Sequence, residues 1–248
     1  MTHPPSHHDI VRWATSYPFG HPRESYLFSN GEARPLERPA VAVRGRTPVI
    51  ASGSNAAPSQ LAKKYRDFAR GTAIPVTRVE ITDFDSVYNA HITAYGSVPA
   101  TLFPSPGTVL ETFITWLDDH ELEIMHGTEQ PGINYHFMEL GDLSLEVEGI
   151  GNLDAAFAYI TVAGCISQDG APVSLAEVPA RARRYAACGQ EEMQGLIRDR
   201  IAPGADLDRF IVDNVEDDAL RGERSAALAG TAQAFHHSAM SVISVTTG

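Results

Sequence analysis

Thr47-Pro48-Val49-Ile50-Ala51-Ser52-Gly53-Ser54-Asn55-Ala56-Ala57-Pro58-Ser59-Gln60-Leu61-Ala62-Lys63-Lys64-Tyr65 is the stretch from which the rest of the chain can be ordered. A short β-branched run, Val49 and Ile50, ends in Ser52-Gly53-Ser54-Asn55. Pro58 and Ser59 then open an amphipathic segment with Leu61, Tyr65 and Phe68 on one face, which predicts a helix over about 58–70. Strand, tight loop and helix follow in that order. Such a junction turns backbone N–H groups toward one spot, and a helix N-terminus adds positive partial charge. The loop is therefore suited to a carboxylate or a developing oxyanion. Turn chemistry alone also accounts for Gly, Ser and Asn at such a junction, and at this point both readings stand.

Working outward, strand-like runs are expected over about 49–52, 76–83, 88–94, 100–103, 109–117, 135–140, 144–148 and 156–163. Arg78-Val79-Glu80-Ile81-Thr82 and Leu143-Ser144-Leu145-Glu146-Val147-Glu148 alternate, the mark of half-exposed strands. A second short helix is expected over about 119–125. Many strands with few helices fit an α+β fold built on a small mixed β-barrel with peripheral helices. Upstream, Tyr26-Leu27-Phe28 followed by Asn30-Gly31 reads as a small hairpin within an N-terminal arm, residues 1–46. The barrel is expected over 47–164. Beyond it, residues 165–248 read as a C-terminal helical extension, with amphipathic helices over about 191–201, 206–220 and 224–240. Three roles stay open for that extension: packing on the barrel, a homodimer contact, or cover over the mouth of a site.

A second cluster lies downstream of the loop. Pro99-Ala100-Thr101-Leu102-Phe103-Pro104-Ser105-Pro106-Gly107 leads into a hydrophobic strand, then an acidic turn at Asp118-Asp119-His120-Glu121. Met125-His126-Gly127-Thr128-Glu129 and Tyr135 follow. Taken in order with the Ser52–Asn55 loop, this set resembles the γ-glutamylcyclotransferase-like family, over about 48–140. That family carries a Tyr-Gly-Ser-Asn loop after its first barrel strand, an Ala-Thr…Pro-x-Pro-Gly stretch, a Leu-Asp-x-x-Glu turn and a following Tyr. Here Ser52 stands in the place of the loop Tyr, and Met125-His126 in the place of Leu-Asp. Tyr95-Gly96-Ser97 matches the start of the family loop more closely. It leads through Val98-Pro99 into another strand-like run, however, and reads as a strand connection.

The resemblance implies intramolecular aminolysis. The α-amine of a γ-glutamyl amide attacks its own γ-carbonyl, releasing an amine or amino acid and 5-oxoproline. An intramolecular nucleophile needs only orientation and proton transfer, and orientation is worth roughly 7–11 kcal/mol. The resemblance gives Glu129 the acid–base role, moving the proton from α-ammonium to leaving amine. Ser52, Gly53, Ser54 and Asn55 would bind the substrate carboxylate or oxyanion, Tyr135 would line the pocket, and Ser52 would widen its entrance. No cofactor or metal is implied. Read as a residue alone, Glu129 lies in a Gly-containing turn before Pro131-Gly132, where a solvated loop carboxylate is the usual outcome. Asp118, Asp119, Glu121 and Glu123 also compete, and helix capping suffices to explain them. Two other functions stay open: a non-catalytic barrel that binds a small carboxylate or a protein, and an amide hydrolase in which Glu129 activates water.

Composition narrows the classes. A formal net charge of −12 over 248 residues repels phosphate backbones, which disfavours nucleic acid as a partner. No apolar run approaches the roughly 20 residues that span a bilayer, and the polar start of the chain has no signal-peptide core, so a cytoplasmic protein without a membrane partner is expected. Cys165 and Cys188 have no metal-ligand spacing and are expected reduced. Among ten histidines, only His3 and His7 are four apart in His-x-x-x-His, and Pro4-Pro5 between them opposes a helix. A small-molecule amide is the expected partner.

Overall fold

The structure is a computed structural model that describes residues 5–20, 22–68 and 71–245; His3 and the expected helix end at Arg70 lie outside them. After α1 (His7–Thr15), strands β1 (Tyr26–Ser29) and β2 (Glu32–Pro35) form the expected hairpin, with Asn30 and Gly31 at φ of 49° and 89°. A short helix α2 (Pro39–Ala42) leads into β3 (Thr47–Ala51), a single 3-10 turn over Ser54–Ala56, and α3 (Pro58–Lys64). Then come β4 (Ile74–Tyr88), β5 (Ala100–Leu117), α4 (Asp119–Glu129), β6 (Tyr135–Leu140), β7 (Leu145–Val147), β8 (Gly151–Leu153) and β9 (Ala156–Thr161). Short strands follow: β10 (Ser167–Gln168), β11 (Ala171–Pro172), β12 (Ser174–Leu175), β13 (Ala180–Arg181) and β14 (Ala187–Cys188). Helices α5 (Gln190–Ile201), α6 (Leu207–Glu216) and α7 (Asp218–Ala229) precede a last strand, β15 (Met240–Val242).

The architecture is α+β, with one large mixed sheet of 13 strands and a two-stranded ribbon of β10 and β11. The main path runs β14-β12-β4-β5-β3-β9-β6-β15. Its two ends do not pair among the described residues, so the expected barrel over 47–164 is corrected to an open sheet. The reason is partly local. The runs expected at 76–83 and 88–94 merge only as far as Tyr88, and 89–97 leaves the sheet in a turn closed by Thr93 N–H to the Ser97 carbonyl at 2.9 Å. The runs at 100–103 and 109–117 are one strand, because Pro104, Pro106 and Gly107 lie where β5 bulges against β4. That bulge lies opposite Asp83, with φ of 66°, whose carboxylate takes the Gly107 N–H at 2.7 Å.

Alternation within strands explains how the sheet is buried. Ile50 of β3, Leu110 and Ile114 of β5, and Ala158 and Ile160 of β9 face one core. Their odd-numbered neighbours Val49, Phe113, Leu117, Phe157 and Tyr159 face a second core or pack against it. The first core is closed by Ile10 and Ala14 of α1, Met193 and Ile197 of α5, Phe210 and Ile211 of α6, and Leu228 of α7. The second is closed by Leu61 of α3, Tyr65, and Met125 of α4. The helices of residues 165–248 therefore share a core with α1. Two of their expected extents are corrected. The helix expected over 206–220 divides at Asp217, which caps α7 through the Leu220 N–H at 2.9 Å. The helix expected over 224–240 ends at Ala229, and Met240–Val242 pairs with β6 instead.

Candidate functional site

β3 and β9 run parallel, and the polypeptide leaves the end of β3 through Ser52–Asn55. Next to this exit lies a pocket of about 510 Å³, a size suited to a small molecule. Ser52, Gly53, Ser54 and Asn55 line it, as do Lys64, Glu129, Tyr135 and Tyr159. The Ser52 carbonyl accepts the Ser86 hydroxyl at 2.5 Å, and the Ala56 carbonyl accepts the Tyr26 phenol at 2.5 Å, so both ends of the loop are pinned. The helix that follows is shorter than the sequence predicts. It spans seven residues, with Tyr65 as its C-cap, and its N-cap, Ala57, has no side chain to cap it.

Glu129 is placed by α4. Asp118 caps this helix with a capping box: its carboxylate takes the Glu121 N–H at 2.9 Å, and Glu121 returns a bond to the Asp118 N–H at 3.0 Å. The helix was expected to stop near Met125, with Glu129 in a turn. It continues through Gly127 to Glu129 and ends at Gln130, whose φ is 52°. Met125 is fully buried under it and anchors the last turns, and the Thr128 hydroxyl donates to the Met125 carbonyl at 2.9 Å. Glu129 is thereby held as a helical residue, 9% exposed. The Asn55 amide donates to its Oε1 at 3.2 Å. The Lys64 ammonium donates to the same oxygen and to the Thr128 hydroxyl, the latter at 2.8 Å. The loop and the carboxylate thus meet in one pocket.

The competing carboxylates are accounted for by structure. Glu121 is 2% exposed and pairs with Arg46 at 2.5 Å, away from this pocket. Asp118 is the helix cap, while Asp119 and Glu123 are exposed on the first turns of α4.

Four phenols surround the site. Tyr17, Tyr95, Tyr135 and Tyr159 all line the pocket. Burial is the main cause that raises each phenol, and the nearby Glu129 charge adds to it in every case. Tyr17 is pushed up to about 12. The others are raised further, so all four stay protonated at neutral pH and act as neutral hydrogen-bond donors. His91 also lines the pocket; burial, helped by Arg221, holds its imidazole below its ordinary value. Only Tyr135 of these five was singled out by sequence. Lys64 reads locally as one more cation within the helix expected over 58–70, and Tyr17 as an aromatic of the N-terminal arm that needs cover. Tyr95, set aside with its strand-connection motif, does lie in a turn, but that turn brings its ring into the pocket.

No group of three or more His, Cys, Asp or Glu among the described residues is arranged to hold a metal ion. Among the same residues, no helix is long and apolar enough to cross a membrane. The arrangement can hold a small polar molecule with an ammonium group against Glu129 and oxygen atoms against the phenols and the loop.

No family model matches the chain, and no curated protein matches it. Among solved structures, the crystal structure of the uncharacterized human protein loc79017 superposes with a TM-score of 0.33 and 12% identity. The superposition covers 56% of this chain and 68% of that one.

Proposed function

We propose that the chain is a γ-glutamylcyclotransferase-like enzyme that releases an amine or amino acid from a γ-glutamyl amide by cyclisation to 5-oxoproline. The observation that carries this reading is the meeting of Glu129 with Asn55 of the Ser52–Asn55 loop in one pocket. On this reading the open sheet is a divergent form of the family's barrel.

The substrate's α-ammonium binds the Glu129 carboxylate, displacing Lys64 from Oε1 or taking Oε2. Glu129 accepts one proton, and the freed amine attacks the γ-carbonyl carbon. A new C–N bond closes the five-membered ring and the amide C–N bond breaks. The leaving nitrogen takes that proton from Glu129, the ring nitrogen gives its second proton to the vacated carboxylate, and the released amine carries this proton off as an ammonium, so the carboxylate ends as it began. Neutral phenols and the loop stabilise charge on the carbonyl oxygen. Ser52 lines the pocket, and a small residue there leaves room near its entrance. An amide hydrolase would use the same carboxylate on a water in place of the α-amine.

One observation favours a second reading. Lys64 already bonds Glu129, and a carboxylate paired with an ammonium suits a site that binds small carboxylates without chemistry. The test is incubation with a panel of γ-glutamyl amines and peptides, scored for 5-oxoproline. Release of 5-oxoproline supports the cyclotransferase; release of glutamate supports a hydrolase; binding with no release supports the non-catalytic site.

A further inference from the structure

We propose that Tyr17, carried to the pocket by the turn after α1, is the side-chain donor that grips an oxygen of the bound substrate beside Gly53, so that the N-terminal segment completes the site. This inference rests on the reading of the pocket as a site for a γ-glutamyl amide, and specifies which group holds that substrate's oxygen.

Tyr17 is 3% exposed, and it lines the pocket. Its hydroxyl lies 2.0 Å from where a Cβ on Gly53 would stand. A Cβ there would collide with the phenol, so its close approach calls for glycine at this position. The loop and the phenol are fitted to one another. The Ala100 N–H donates to the Tyr17 oxygen at 2.9 Å, and Ser54 lies against the same phenol. A phenol that accepts the Ala100 N–H still has its own proton to give. The ring is fixed by an edge contact with Phe19 at 5.6 Å, and Phe19 in turn meets Tyr95 at 5.7 Å. The Ser54 hydroxyl neighbours the phenols of both Tyr17 and Tyr95 and links them into one polar group. Because the Tyr17 phenol is pushed up to about 12, it donates and does not serve as a base.

A γ-glutamyl amide offers two kinds of acceptor to such a donor: its α-carboxylate and its amide oxygen as charge develops. With the ammonium on Glu129, either oxygen would reach a donor on the loop side of the pocket. The loop has Ser52 where the resembling family has a tyrosine, and here a phenol reaches the same loop from 35 residues upstream (52 minus 17).

The test uses the full chain with Tyr17→Phe, which keeps the ring and removes the donor. Binding of 5-oxo-L-proline and of L-glutamate is measured by calorimetry, and 5-oxoproline release is followed on the amide panel. We expect about tenfold weaker binding and roughly 10²-fold lower kcat/KM, with the fold retained and a Tm lowered by roughly 2–10 °C, because the change also strips the Ala100 N–H of its acceptor. A loss in KM assigns the donor to the carboxylate; a loss in kcat assigns it to the developing oxyanion. Gly53→Ala, which forces the phenol aside while leaving Tyr17 in the chain, should reproduce the loss. A Tyr17→Phe protein that binds and turns over as the parent does overturns the inference and leaves the cyclotransferase reading intact. A parent that binds these probes through Tyr17 but forms no 5-oxoproline overturns the cyclotransferase reading and leaves the role of Tyr17 standing. A parent that neither binds nor turns over, or a Tyr17→Phe loss that tracks loss of the fold, counts against the inference.

Discussion

Both hydrogen bonds to Glu129 converge on Oε1, from Asn55 and from Lys64, and among the described residues no protein group bonds Oε2. One oxygen is thus held and the other is available to a ligand. Glu129→Gln keeps this shape and removes the proton acceptor, so turnover should fall roughly 10²–10⁴-fold, with the urea midpoint little changed. Substantial residual activity in that variant would turn attention to His91, a pocket imidazole that burial holds below its ordinary value. The cysteines give a second prediction at this scale. Burial pushes the Cys165 and Cys188 thiols up to about 12, and both are buried, so neither should react with Ellman's reagent until the protein is denatured. The meeting of Glu129 with the Ser52–Asn55 loop could be anticipated because both belong to one ordered set of short motifs. Lys64 and Tyr17 could not be, because their roles depend on partners 65 and 83 residues away, Glu129 and Ala100. No local pattern encodes such pairs.

At the scale of elements, the sequence located strands better than it located their ends. β6 spans Tyr135–Leu140, as its aromatic and apolar run predicts. α4 outruns its expected end because burial of Met125 and the Thr128 bond to the Met125 carbonyl offset Gly127, whose helix cost is roughly 1 kcal/mol. Tertiary contact overrides propensity there. β4 makes a nonlocal contact of another kind. Asp85 of β4 is fully buried, and Arg183, beyond β13, reaches it with Nε at 3.0 Å. The Ser174 hydroxyl of β12 donates to the same carboxylate at 2.6 Å, and the Arg183 guanidinium also meets the Val178 carbonyl at 2.7 Å. Residues 174–183 are thus tied to the sheet by charge. Arg183→Met would leave a buried carboxylate without its cation and should cost about 3–5 kcal/mol in urea unfolding, because the uncompensated charge dominates. A loss below about 1 kcal/mol, the worth of an exposed pair, would contradict that account.

Across the whole molecule, α+β content was legible from the periodicities, but the open sheet was not. Closure depends on which strand ends meet, and the departure of 89–97 into a turn leaves no trace in alternation. The global stability should carry a histidine signature. Burial lowers His126, which meets the Tyr159 hydroxyl at 2.8 Å, and it lowers His91 with help from Arg221. A folded value below the unfolded one means that the unfolded chain binds protons first on acidification. The stabilisation is therefore present above an unfolded value of about 6.5 and is lost as pH falls below it. Replacing both histidines with Gln should flatten that part of the stability–pH curve. The central claim, however, is chemical: the pocket at the end of β3 closes a γ-glutamyl amide on itself through Glu129. Its most direct test is 5-oxoproline formation from γ-glutamyl amides by the parent chain and by Glu129→Gln, side by side. The account predicts product from the parent with at least one amide and a roughly 10²-fold or greater loss in the variant. Equal rates in the two proteins, or no 5-oxoproline from any amide, would contradict it.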